Sequence, residues 1–535
     1  MNSEIWARKQ KEREKAWRRL QKNETSNRLY KTALWCVPVV VLVSALFFFG
    51  FYLYRNYSNF SATSLEIAEN TITVRAGGDF QAALERAKPG DVILLEAGAT
   101  FKGNFHLPKK QGERFITVRT SASDDKLPPA GVRIKPEQHA AFLPKIASPN
   151  NEPALTAIDG AHHFRFVGVE FLGTKNGIGN IIKIGTTEEK RIEDLPHHIE
   201  FDRVIIRAVS PEGQRRGIAA NGRELKILNS HISGIRRKGD ESQAIAVWAT
   251  DGKIEIVNNY LEAAAQAILF GGAGSAMNLI AADCLVKDNW MNKPLEWRDE
   301  GWDVKNIFEI KHGRRIKIEN NLMTGNWGSA QDGTAVLFTT RTDAGEKASI
   351  EDIEFIGNIV RSSANGISVY GAEGAGGHRL TIRNNIFADI DGRKWNGGGF
   401  FMKATAWNGL VIENNTILQT GNIASAYDEP IRGFVFRNNI VFENEYGFKG
   451  DGTASGKATL DKYFPGGDVS FNAFIGGSPA SYGGKNLYPN TVRQLGFINY
   501  EAQDFRLRPD SPLRGKGFQG KNIGADFDQK TVGGK

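Results

Sequence analysis

Apolar and polar residues alternate with period two in short runs that recur along most of the chain. Ile254-Glu-Ile-Val, Ile316-Lys-Ile-Glu, Leu380-Thr-Ile-Arg, Leu410-Val-Ile-Glu and Phe434-Val-Phe-Arg are the clearest. Such alternation predicts a short strand with one buried face. Each of these runs ends in an asparagine pair: Asn258-Asn259, Asn320-Asn321, Asn384-Asn385, Asn414-Asn415 and Asn438-Asn439. Asn tolerates left-handed backbone angles and bonds to nearby main chain, so the pair marks a turn. Looser copies begin at Ile199, Leu225, Leu285, Ile353 and Val469. After the turn come a second short apolar run, a variable loop, and a third run such as Ala267-Ile-Leu-Phe-Gly-Gly or Gly366-Ile-Ser-Val-Tyr-Gly. The interval is about 30 residues, the mark of a solenoid.

Three short strands per turn, stacked turn on turn, describe an all-β parallel β-helix whose inward Ile, Val, Leu and Phe form ladders. Residues 79–88 place Phe80, Ala83, Leu84 and Ala87 on one helical face, with Asp79 as N-cap, and so predict a helix capping the apolar end of the stack. Val92-Ile-Leu-Leu and Phe115-Ile-Thr-Val are the first expected strands, and 124–153 reads as a long loop. The longest insertions are expected between second and third strands, at 262–266, 323–334 and 389–398, with another at 271–279 after a third strand. The expected organisation is a basic tail (1–31), a membrane span (32–54), a linker (55–70), a cap with the first coils (71–153), the coil stack (154–475) and a C-terminal wrap (476–535).

From about Thr71 to Asp528 the chain resembles the bacterial right-handed parallel β-helix proteins of the pectin-lyase-like superfamily. The resemblance rests on the opening Ile72-Thr-Val-Arg-Ala-Gly-Gly-Asp-Phe-Gln-Ala-Ala-Leu, on Pro89-Gly-Asp-Val-Ile-Leu-Leu, on the Asn-Asn coils, and on the closing Asp504-Phe-Arg-Leu-Arg-Pro-Asp-Ser-Pro and Asn522-Ile-Gly-Ala-Asp. It implies a fold and no single chemistry, because that superfamily contains lyases, hydrolases, epimerases and non-enzymatic binding proteins.

The uncharged run from Thr32 to Tyr54 is long enough to span a bilayer, with Tyr52, Tyr54 and Tyr57 suited to the interface. Residues 1–31 carry ten Lys/Arg against four Asp/Glu. The positive-inside rule therefore puts the N-terminus in the cytoplasm and the β-helix outside it, periplasmic or extracellular, on a single-pass anchor of the inner membrane. A cleaved signal peptide, processed near Ser61, is the alternative. That tail holds most of the net charge of +8, leaving about +2 for the rest, so nucleic acid is not the expected partner. The two cysteines, Cys36 and Cys284, lie in an apolar run and in a coil, without partners at metal-ligand spacing.

With the apolar ladder turned inward, the third runs present Trp248, Glu309, Lys311, Thr339, Arg341, Ser368, Tyr370, Phe401 and Lys403 outward. Neighbouring coils are about 4.8 Å apart, so Glu309, Lys311, Arg341, Tyr370 and Lys403 share one patch, with Trp248 further along. That set suits an acidic polysaccharide or other glycan. Arg341 and Lys403 would bind uronate carboxylates, and Trp248 and Tyr370 would stack on sugar rings. Lys311, flanked by cations, is the candidate base for β-elimination, with Glu309 orienting it or holding a cation. A uronate lyase is what the superfamily resemblance implies. The same alternation of Glu, Lys and Arg also solubilises an ordinary β face, so a non-catalytic glycan-binding or structural solenoid stands beside it.

A second mixed cluster spans 292–302. Asp240 and Glu241 are the candidate calcium ligands, calcium being the one cofactor considered. His162-His163 and His197-His198, adjacent on strands, are expected to face opposite ways and so to form no metal site from one pair. Arg315-Ile-Lys317 looks like the last motif of polygalacturonase-like hydrolases, but their Asn-Thr-Asp, Asp-Asp and Gly-His-Gly motifs are missing from the coils. The Trp-Ile-Asp-His signature of the main pectate lyase group is missing too. A paired-carboxylate glycosidase is therefore unsupported.

Overall fold

A computed structural model describes residues 11–12, 14–15, 70–529 and 532–534. The chain divides into Met1–Ile67 and Ala68–Lys535. In the first unit only 11–12 and 14–15 are described, as exposed helix. The expected basic tail, membrane span and all but the last residue of the linker lie otherwise outside the described residues. Among the described residues no helix is long and apolar enough to cross a membrane.

In the second unit the period-two runs become strands of three long parallel sheets, with 15, 13 and 12 strands, and a separate two-stranded ribbon. One coil shows the grammar. Ile254–Val257 lies in the first sheet, Tyr260–Ala263 in the second and Gln266–Phe270 in the third. The next coil repeats it one strand along, with Ile256 opposite Val286, Leu261 opposite Met291 and Ile268 opposite Phe308. This is a parallel β-helix. Inward residues stack in rows, such as Phe166, Phe201, Ile227 and Ile256, and all four are at most 1% exposed.

The asparagine pairs divide their labour. The first member takes the left-handed turn, with φ of 56° at Asn258, 55° at Asn320 and 57° at Asn384. The second turns inward and is fully buried. From Asn289 on, each buried Asn accepts the main-chain N–H of the Asn one coil earlier, at 2.9 Å from Asn259 to Asn289 and 3.0 Å from Asn289 to Asn321. The chain of amides continues through Asn358, Asn385, Asn415, Asn439 and Asn472 to Asn486. The turn thus satisfies polar groups that burial would otherwise orphan.

Both ends of the stack are covered. The helix Phe80–Arg86 is capped by Asp79, which accepts from the Ala82 N–H at 2.9 Å, and buries Phe80, Ala83 and Leu84. At the far end Phe464, following the helix Lys457–Tyr463, packs on Phe434 with ring centroids 4.4 Å apart. The wrap lays Phe497, Phe505, Leu513 and Ile523 against Ile386, Leu418 and Ile440 on the outside of the second sheet.

Two expectations about loops need correction. The stretch 124–153 contains a second-sheet strand, Lys145–Ala147, paired with Thr100–Lys102 and Glu170–Leu172. Its remainder buries Leu127, Ile134 and Leu143 against Val167 and Ile205. The segment 262–266 is hardly an insertion, because strands reach to Ala263 and restart at Gln266. The larger excursion comes one coil later, between Trp290–Asn292 and Phe308–Ile310.

Candidate functional site

The outer face of the third sheet carries the candidate residues in the expected rows. Phe308 and Ile310 are fully buried in the core and Glu309 points the other way. In register, Glu309 stands opposite Leu337, Leu337 opposite Ser368, and Ser368 opposite Lys403. Three strand spacings separate Glu309 from Lys403, or about 14 Å. Thr339 stands opposite Tyr370 in the adjoining row. Phe401 departs from expectation: it is fully buried and packs on Phe387, centroids 4.9 Å apart.

Outward does not mean exposed at Glu309, which is only 4% accessible. Its Oε2 accepts from Gln266 Nε2 at 2.7 Å and Asn306 Nδ2 at 3.0 Å. It closes a buried hydrogen-bond chain across successive coils. Arg216 donates to Asn180 at 2.9 Å and, from Nε and Nη2, to Gln243 Oε1 at 2.9 and 2.7 Å. Gln243 then donates to Gln266 at 3.1 Å. Burial pushes the Glu309 carboxyl above its usual range, against the pull of nearby Lys311. Burial likewise lowers the Arg216 guanidinium to about 10. A buried acid whose pKa is raised, set beside amide donors and a lysine, is better placed to give a proton than an exposed surface glutamate.

Arg216, Gln243 and Gln266 were not among the residues singled out from the sequence. Their signal was present: each occupies the same register position ahead of its third-strand apolar run, one coil after another.

The other candidates already have partners of their own. Lys311 Nζ lies 3.6 Å from Asp343 Oδ2. The Trp248 ring has the Arg216 guanidinium 4.7 Å from its centroid, so one face is taken. Arg341 pairs with Glu373 and lies 4.7 Å from the Tyr370 ring. Lys403 Nζ is 5.6 Å from the ring of Tyr427. Of the six predicted residues, Glu309 has Lys311 beside it and Arg341 has Tyr370, while Trp248 and Lys403 contact other side chains.

The calcium candidates are turned toward cations. Asp240 pairs with Arg237 at 3.0 Å and Arg215 at 3.7 Å, and Glu241 pairs with Lys305. Burial alone would raise the Glu241 carboxyl, but its Lys305 partner brings it below the usual range. In the 292–302 cluster Trp297 is buried beside Trp327 and Trp395, while the Arg236 guanidinium sits 5.1 Å from the Trp297 ring and 4.6 Å from that of Trp302. A groove of about 770 Å³ opens elsewhere, under the wrap, lined by Asp389, Asp391, Arg393 and Glu501. Three of its four charged lining residues are acidic, which suits an acidic polymer less well than the third-sheet face.

The histidine pairs do not face opposite ways. His163 and His198 adopt left-handed angles, φ 57° and 53°, which break the alternation and turn both rings of each pair to one side. The Nδ1 atoms of His162 and His163 are 2.7 Å apart, and those of His197 and His198 are 2.8 Å apart.

No family profile matches the chain, and no curated protein is significantly similar to it. Solved structures are similar to it in fold. An alginate lyase from Paenibacillus sp. is 15% identical, with TM-score 0.30 over 68% of this chain and 95% of its own. A mannuronic-acid-specific polysaccharide family 6 lyase from the human gut microbiota is 13% identical, with TM-score 0.43 over 79% and 93%. A lacto-N-biosidase from Eubacterium ramulus is 14% identical, with TM-score 0.38 over 78% and 68%. At these identities and TM-scores the likenesses assign the chain to no family.

Proposed function

We propose that the β-helix is a polysaccharide lyase that takes a uronate-containing chain along the outer face of its third sheet. The observation that carries this reading is the buried acid Glu309, raised above the usual carboxylate range, two residues from Lys311 on the same strand face. Arg341 binds the carboxylate of the reacting uronate, which eases removal of its own C5 proton, and Lys403 binds another further along. Lys311 first passes a proton to Asp343, 3.6 Å away, and the neutral amine so formed takes the C5 proton. The C4–O bond breaks, a C4–C5 double bond forms, and the leaving oxygen takes a proton from Glu309. Trp248 offers the ring face not covered by Arg216 as a sugar platform. The apolar run 32–54 holds the chain in the inner membrane, N-terminus inside and β-helix outside.

The test mixes the full chain with a panel of uronate polysaccharides, with calcium and with chelator, and follows the ultraviolet absorbance of unsaturated uronate. A rise that is lost in Lys311→Ala and in Glu309→Gln supports the lyase. No rise with any polysaccharide overturns it.

A second reading, a non-catalytic glycan-binding or structural solenoid, is favoured by the pairs Lys311–Asp343 and Arg341–Glu373, in which candidate cations already have partners. Glycan binding that weakens in Trp248→Ala, without product formation, selects it.

A further inference from the structure

Away from the third-sheet face, four imidazoles meet at the start of two successive first-sheet strands, His162–Val167 and His197–Asp202, where His162 stands opposite His197. The rings form a two-by-two array. His162 stacks on His197 with centroids 4.7 Å apart and planes 3° from parallel, and His163 on His198 at 4.5 Å and 9°. Within each strand the two Nδ1 atoms approach to 2.7 and 2.8 Å. One ring nitrogen from each of His162, His163 and His197 lies within 4.8 Å of the other two.

The same corner of the later coils shows what is unusual here. A left-handed residue recurs there at Glu224, Lys253, Asp283, Arg315, Asp352 and Arg379. These join as opposite charges: Glu224 with Lys253 at 3.1 Å, Asp283 with Arg315 at 2.7 Å, and Asp352 with Arg379 at 2.5 Å. The fold thus ties coil to coil at this corner by ion pairs. At His163 and His198 the tie is between like groups that repel when protonated.

We infer that His162, His163, His197 and His198 bind one divalent transition cation of the zinc, nickel or copper class, which joins the two coils. The donor set is imidazole alone, which suits these metals. It offers none of the carboxylate or carbonyl oxygens that calcium and magnesium require. The Lys110 main chain hydrogen-bonds His162, an outer contact of the kind that orients a ligating ring. His162, His197 and His198 are half-buried, so a cation can enter from solvent. Metal–nitrogen bonds of about 2.0–2.1 Å put tetrahedral ligand atoms about 3.4 Å apart. A cation would therefore open the hydrogen-bonded pairs slightly and draw the stacked pairs together, by ring rotation.

The test uses the untagged full chain, stripped with chelator and titrated with zinc chloride in a calorimeter. One equivalent is expected to bind and to raise the melting temperature, while calcium and magnesium do neither. His163→Asn and His197→Asn are each expected to weaken zinc binding by about tenfold or more. Their melting without metal checks that they fold. Should either fail to fold, cobalt(II) added to the unaltered chain gives d–d bands of a nitrogen-ligated ion that zinc then bleaches. Absence of those bands, no zinc effect on melting, or equal zinc binding by both folded variants overturns the site and leaves a stacking array only.

Discussion

Gln266 reaches across from the neighbouring coil to donate its Nε2–H to Glu309 Oε2 over 2.7 Å, so the acid of the third-sheet face is held from outside its own strand. The arrangement ties the protonation of Glu309 to the stacking of coils, and it makes stability depend on pH in a defined direction.

Glu309→Gln keeps the shape and removes the charge. A carboxyl whose folded pKa is raised binds more protons folded than unfolded, once the pH exceeds the ordinary value near 4.5. Its stabilising effect is therefore full below that value and is lost as pH rises through the folded pKa. The unaltered chain is expected to lose up to about 1.4 kcal/mol per pH unit in that window relative to Glu309→Gln. Urea denaturation of both proteins at a series of pH values checks this; parallel curves refute it.

Asn321 shows what the inward asparagines contribute. Its Oδ1 accepts from the N–H and the side chain of Asn289, both at 3.0 Å, and its Nδ2 donates to Val286 O at 3.0 Å and Asn358 Oδ1 at 2.9 Å. Asn321→Ala orphans buried groups on both adjoining coils. Each costs about 1–3 kcal/mol, so the expected loss is about 3–5 kcal/mol in urea denaturation. Asn444, after the strand Ile440–Phe442, is exposed, and water can replace the bonds its Nδ2 donates to Gln419 O and Gly421 O at 2.9 and 2.8 Å, so Asn444→Gly is expected to cost less than Asn321→Ala.

Arg341 and Tyr370 lie close enough to act as one recognition element, at 4.7 Å. Arg341→Lys keeps the charge but loses the planar fork, and at this partly exposed site it is expected to weaken uronate binding by about 1 kcal/mol. Binding of neutral glycans should not change. Tyr370→Ala should weaken both. Affinity electrophoresis in gels containing acidic or neutral polysaccharide separates these outcomes.

The coil grammar was legible because period two, the asparagine pair and the apolar ladder are each written locally. Asp79 as N-cap and the inward Phe308 and Ile310 follow from single-strand reasoning. What escaped is set by contacts between coils. Glu309 lies on the outward face as its alternation requires, but Gln266 of the preceding coil, helped by Asn306 just ahead of its own strand, bonds to it there. The histidine pairs escaped because alternation assumes extended backbone, and a left-handed residue at the coil corner cancels it. The same holds for Lys293, part of a cluster read for its aromatic and charged mixture, whose ammonium group proves to be a plug for the preceding coil.

Lys293 is 1% exposed, and its Nζ donates to the carbonyls of Ala263, Ala264 and Ala265 at 2.8, 2.9 and 2.7 Å. Burial drives its pKa well below 10.5. The folded state therefore binds fewer protons than the unfolded state between that lowered value and 10.5. Stability from this group is full above the unfolded value and is lost as pH falls through the folded one. Lys293→Met fills nearly the same volume but donates nothing. It leaves the turn carbonyls short of partners, at an expected cost of about 2–4 kcal/mol. The gap between the two proteins should widen as pH is raised from neutral toward 10.5, because only the unaltered chain gains stability there. Denaturation midpoints measured across that range decide it. A constant gap would mean that the ammonium stays charged in its carbonyl nest, held by the three oxygens against the cost of burial.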